Sequence, residues 1–221
     1  MESAHIWDIA HGLLFVAWLG GDIAVFALTA RVKNAGLDFP TRMHLVLAAA
    51  NLQIIPRLCF ALIPITGIEL TGAIGVYPLT PGLRAAAYVM SLAWAVVIVA
   101  GAANAGKELA ANLRIVELVF EAFAGLAFVA YGLNSLATGA PIDDVWFAAK
   151  LFLFGLVFWA AIAADIGFRP FYAPFSETAM EGPTPEREEA ITAAINHSLA
   201  AKVAILVLIV AIAFLGHFKP F

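Results

Sequence analysis

The sequence predicts an all-α, polytopic membrane protein, and three observations carry that prediction. Hydrophobic residues make up 63% of the 221 positions and charged residues only 13%, outside the range of water-soluble domains. The apolar residues gather into runs of about 20 residues or more, the length a helix needs to cross a hydrocarbon core roughly 30 Å thick. The connections between runs are short, with one exception, so a single membrane domain over 1–221 is expected.

Six helices follow, at about 5–30, 44–72, 84–105, 113–136, 144–168 and 197–218. The first contains "IAHGLLFVAWLGGD", with His11 and Asp22 at the two ends of an apolar stretch. The second, with "IIPRLCFALIPITG", should be one kinked helix, because Pro56 and Pro64 each remove a backbone donor. The third ends in "AGAANAG", whose small residues suit close helix contact, within the chain or with a second copy in a homo-oligomer. The fourth carries Glu117 and Glu121 and the fifth Lys150 and Asp165. Before the sixth, "RPFYAPFSETAMEGPTPEREEAIT" reads as a solvated loop, with a short helix from Pro185 leading into the last span. The opening "MESAHIWD" lacks the basic start of a signal peptide and is expected to be retained.

Orientation follows from the cations. Arg31, Lys33, Arg42, Lys107, Arg114, Arg169 and Arg187 fall in the first, third and fifth connections, and Arg84 and Lys219 on the other side. Both termini are therefore expected on the outer, periplasmic side of a bacterial inner membrane. His11 and Lys150 then lie about two turns in from the outer surface, while Asp22, Glu117, Glu121 and Asp165 fall in the inner half, with Arg57 near mid-membrane. Trp7, Tyr77 and Trp146 would form an outer aromatic belt.

Composition also excludes functions. A net charge of -4 with dispersed cations offers no surface to nucleic acid. The lone Cys59 excludes an internal disulfide, and without CxxC or CxxCH any haem would be bound non-covalently.

A charge at mid-span costs roughly 2.5–3.5 kcal/mol on insertion scales, so these side chains must face the bundle interior and most must be paired. Asp8, His11, Phe15, Trp18 and Asp22 share one helical stripe. Glu117 and Glu121, one turn apart, repel unless a cation lies between them or one is protonated; Arg57 and Lys202 are the expected partners. Two readings of this cluster stay open: a structural ion-pair network, or a proton path or polar-substrate site. Among histidines, His5, His44 and His217 sit at helix ends, where solvation explains them, and His197, at the start of the sixth span, is expected in a cap or an interfacial hydrogen bond. His11 lies within a span at the inferred depth of Lys150, which points to ligation or proton transfer.

"IAHGLLFVAWLGG" resembles the first span of bacterial HemJ-type protoporphyrinogen IX oxidases and the related membrane domain of copper-resistance D proteins. "VWFAAKLFLFGLVFW" is similar to the HemJ-type span in which a tryptophan is followed by a lysine, here Trp146 and Lys150, and the chain ends "KPF" as many of that family do. The resemblance covers three helices, and departs from the family where this first span continues "DIAVFALTARV". It implies a membrane oxidoreductase acting on a porphyrinogen or holding haem b, with His11 on the metal or proton and Lys150 on a propionate. Asp22, Glu117 and Glu121 would then carry protons, with Arg57 beside them completing the set. The electron acceptor has no sequence signature, since no quinone or flavin motif is present. Two alternatives come from other classes. One is a proton-coupled or copper transporter of the copper-resistance D type, although Met43, Met90, Met180 and Cys59 supply few soft ligands. The other is a non-catalytic subunit of a membrane complex.

Overall fold

The computed structural model describes residues 2–219. Among these residues the chain forms helices without strands: α1 (Glu2–Val32), α2 (Phe39–Leu52), α3 (Ile54–Ala73), α4 (Pro81–Ala103), α5 (Glu108–Thr138), α6 (Val145–Phe168), a 3-10 turn (Arg169–Phe171), α7 (Tyr172–Glu181) and α8 (Pro185–Phe218). Five helical stretches are long and apolar enough to cross a membrane: Ala4–Val32, Phe39–Ala73, Pro81–Ala103, Val145–Glu181 and Pro185–Phe218. The remaining expected span, 113–136, falls in α5, which is not one of the five and carries Arg114, Glu117 and Glu121 in its first half.

The long helices close a ring. α1 packs on α3, α3 on α4, α4 on α5, α5 on α6, α6 on α8, and α8 returns to α1. Backbones meet most closely between α5 and α6, because a Cβ at Gly132 would lie 2.5 Å from Phe152 N and one at Gly155 2.6 Å from Val129 N. The ring's middle is filled by aromatic side chains. Trp18 stacks on Phe60 at 4.8 Å, Phe60 meets Phe158 at 4.5 Å and Trp94 at 5.0 Å, and Phe128 meets Phe154 edge-on at 5.1 Å. Such pairs each add about 0.5–1.5 kcal/mol beyond area burial. They make a packed apolar layer across the bundle.

The second span runs as one stretch, Phe39–Ala73, interrupted near its first proline as a kinked helix should be. It breaks at Gln53 into α2 and α3, three residues before Pro56. Pro56 has no N–H for the Leu52 carbonyl and its ring would clash there, so the helix restarts with proline in its first turn. The Pro56 ring packs where a Gly21 side chain would be, 2.9 Å from that Cβ position. Pro64 stays inside α3.

The stretch expected to be a solvated loop is largely folded. The 3-10 turn and α7 place Phe171 and Phe175 in a second core with Val32, Ile191 and Ile195, and α2 packs there through Phe39 and Met43. Pro170 and Pro174 fall in first turns, where a missing N–H leaves no bond unmade. Thr184 caps α8, accepting from Arg187 N at 3.3 Å, so the lead-in from Pro185 and the last span are one helix. Arg42, expected as a surface cation, is buried here: it donates to Val32 O at 2.8 Å and grips Glu188 at 2.7 and 3.0 Å.

Candidate functional site

The α1 stripe sets up two polar centres on either side of the aromatic layer. Its inward members are His11, Phe15, Trp18 and Asp22; Asp8, expected on the same stripe, is exposed.

At the first centre, His11 Nδ1 lies 2.9 Å from Thr66 Oγ1, and that hydroxyl donates to Ile63 O at 3.0 Å. The single hydroxyl proton is thus committed to the carbonyl, so Thr66 accepts and His11 carries its proton on Nδ1. Nε2 keeps its lone pair free. Gly67, on the same helix, gives the ring room, since a Cβ there would stand 3.4 Å from Cε1. Lys150, on α6, lies within electrostatic range of the imidazole. Its ammonium rests over Gly216 of α8, whose Cβ would fall 2.7 Å from Nζ. Among the described residues no carboxylate forms a salt bridge to Lys150. An ammonium half-buried without a counter-ion is costly in an apolar bundle, and an anionic ligand would relieve that cost.

The second centre lies toward the α2 and α7 end. Arg57 grips Glu117 through two nitrogens, with Nε to Oε1 at 3.1 Å. Arg114 Nη1 holds Glu117 Oε2 at 2.8 Å and faces Glu121 Oε1 at 3.5 Å, while its Nε and Nη2 each reach Asp165 Oδ1 at 3.1 Å. Trp94 Nε1 donates to Glu117 Oε1 at 3.4 Å. Lys202 turns elsewhere than expected: it pairs with Asp22 at 3.2 Å and not with the glutamates. A cleft of about 360 Å³ opens onto this centre, lined by Asp22, Arg57, Arg114, Glu121, Asp165 and Lys202. A second, of about 350 Å³, reaches Arg57, Arg114 and Glu117 from the other side.

The structure therefore gathers Asp22, Arg57, Glu117 and Glu121 at one centre and His11 with Lys150 at the other. Arg114 was expected only as a loop cation, yet it joins three carboxylates; the places of Glu117 and Glu121 three and seven residues after it were the available signal. Thr66 and the Glu69–Arg84 pair, bridged at 2.7 Å, carried none. His5, His44 and His217 are exposed, and so is His197, which lies within α8 and not at its cap, Thr184. Tyr77 bonds Tyr131 hydroxyl to hydroxyl at 2.6 Å. Trp146, expected in a lipid-facing belt, is buried beneath Lys219, whose Nζ stands 5.2 Å from the ring centre. The rest of the "KPF" ending, Pro220 and Phe221, lies outside the described residues.

Among the described residues no three His, Cys, Asp or Glu side chains group as a metal site. Comparison with protein families, with curated proteins and with solved structures finds no match for this chain.

Proposed function

We propose that the chain is a six-span protein of a bacterial inner membrane with both termini outside, and that His11 and Lys150 form an outer site for a flat, apolar ligand bearing a carboxylate. The porphyrin class fits that description, either as an oxidisable porphyrinogen or as haem b. One observation carries the reading: the Thr66 bond orients His11 through Nδ1, leaving Nε2 outside it, and Lys150 on α6, within electrostatic range of that imidazole, has no carboxylate partner among the described residues. α5 supports the span count, since Ile115, Val119, Phe123, Leu126 and Leu133 expose an apolar stripe along it.

The donor set suits both forms of ligand. A neutral imidazole oriented through its other nitrogen is the usual arrangement for ligation, and a bound b-type haem would supply one-electron chemistry. Lys150 would meet a propionate by a charge-assisted hydrogen bond. With a porphyrinogen, His11 Nε2 would accept a proton as electrons leave to a separate acceptor.

Visible spectra of the protein in mild detergent, oxidised and dithionite-reduced, test this beside a His11→Ala variant. A Soret band lost or shifted in the variant is the expected result; alternatively, a colourless protein should bind added porphyrin in a way that Lys150→Met weakens. A protein that holds neither haem nor porphyrin overturns the reading.

The cleft at the other centre favours a second reading, proton-coupled transport of a small polar solute, which uptake into proteoliposomes would reveal. Copper is poorly served: Cys59 is buried on α3, Met90 on α4 and Met180 on α7 are exposed, and Met43 belongs to the second core.

A further inference from the structure

Glu121 is buried and incompletely bonded. Only 3% of it is exposed, and its Oε2 has no donor among the described residues. Oε1 has only the long 3.5 Å approach of Arg114. The stronger donors go elsewhere, because Glu117 takes Arg57, Trp94 and the short bond from Arg114, and Asp165 takes the rest of that guanidinium.

The charges do not balance around it. Arg57 from α3, Arg114 from α5 and Lys202 from α8 face Glu117 and Glu121 from α5, Asp22 from α1 and Asp165 from α6. In the interior three cations therefore meet four carboxylates, and the fourth cation, Arg169, reaches only Asp165 and from the exposed rim. The remaining titratable groups stand at the rim: Arg169, half-exposed and 3.5 Å from Asp165, and the Tyr172 phenol of α7. α2 contributes only uncharged residues to the cleft wall. A proton on Glu121 would remove the spare charge and relieve repulsion from Glu117 one turn away.

Glu121 also lines the cleft of about 360 Å³, which runs from Trp18 and Phe60 to Val32, Phe168 and Tyr172 at the α7 end. Water entering there has a route to the carboxylate.

We propose that Glu121 is a proton-loading site, served through this cleft from the α7 face of the molecule. On loading, an O–H bond forms at a carboxylate oxygen of Glu121 as an O–H bond of hydronium breaks; unloading returns the proton to water. The assignment names the carrier for an inner proton path and stands independently of any ligand at His11 and Lys150.

Infrared spectroscopy of the protein in lipid nanodiscs tests it. The wild type should show the carbonyl band of a protonated carboxyl group that disappears on raising pH, shifts in D2O, and is lost in Glu121→Gln. Glu121→Asp should move the band, which covers the case in which the glutamine variant fails to fold. Ala50→Trp, at a position lining both clefts, should slow the deuterium shift. A folded wild type with no such band at any pH, a band that persists in folded Glu121→Gln, or one that never exchanges in D2O would overturn the proposal. None of these readouts depends on haem or porphyrin.

Discussion

Thr66 would govern which face of His11 meets the proposed ligand, although it touches only the far nitrogen. Replacing it with valine keeps the shape and removes the acceptor for Nδ1–H, freeing the ring to adopt the other tautomer. Thr66→Val should weaken porphyrin or haem binding by about 10–100-fold, the usual effect of losing such an orienting partner, with the fold intact. A titration followed by absorbance checks this, and unchanged affinity would deny Thr66 the role. A different residue gives a pH effect outside the spans. Asp38 caps α2, and hydrogen bonds from the Thr41 side chain and backbone hold its carboxyl below the ordinary aspartate value. The cap's contribution is therefore complete above that ordinary value and is lost as pH falls through the lower folded one. The protection of the Thr41 amide against exchange, relative to a free peptide at the same pH, should fall with acid in that window, and Asp38→Asn, still a good cap, should remove the dependence. His11, Lys150 and the glutamate pair were legible because a polar residue in an apolar run demands a reason. Thr66 was not, since threonine is ordinary in a membrane helix, and Arg114 was hidden by its place at the expected span's edge, where cations usually meet lipid headgroups.

The close contact of α5 and α6 fixes Glu121 and Asp165 relative to each other. A methyl at Gly155 would strike backbone of α5, which cannot step aside as a side chain can. Gly155→Ala should therefore destabilise the bundle by about 1–3 kcal/mol, the cost of overpacking. At Gly20 nothing lies within 4 Å of the added Cβ, so alanine there should be neutral or stabilising. Thermal unfolding in detergent compares the two, and an equal response would refute the contact argument. Most elements were readable from apolar run length alone. The outcomes turn on the position of proline: Pro56 interrupts the second span just before itself, as a kink requires, whereas Pro170 and Pro174 sat where helices accept proline, so a folded segment resembled a loop. Nothing local distinguishes those cases; the packing of Phe171 and Phe175 does.

Taken whole, the molecule is a ring of long helices with a smaller helical core at one end. α8, with 34 residues, is about 51 Å long and exceeds the roughly 30 Å of a hydrocarbon core, so one end must project. The proposed orientation sends that excess, with α7, inward. Single cysteines in a Cys59→Ser background should report it: Gly182 and Gly106 should react with an impermeant maleimide only from the inner side, and Gly75 and Asp143 only from the outer. The opposite pattern would invert the proton route as well. The aromatic layer, set between the two polar centres, then has an electrical meaning. Water in the cleft would carry the inner potential as far as the layer, leaving those few apolar rings to hold most of the membrane voltage. A charge crossing the full membrane voltage gains or loses about 2.3 kcal/mol per 100 mV. In such a molecule Trp18, Phe60 and Phe158 act as the dielectric of a thin capacitor, and substitutions there would change how steeply any charge transfer between the two centres responds to voltage.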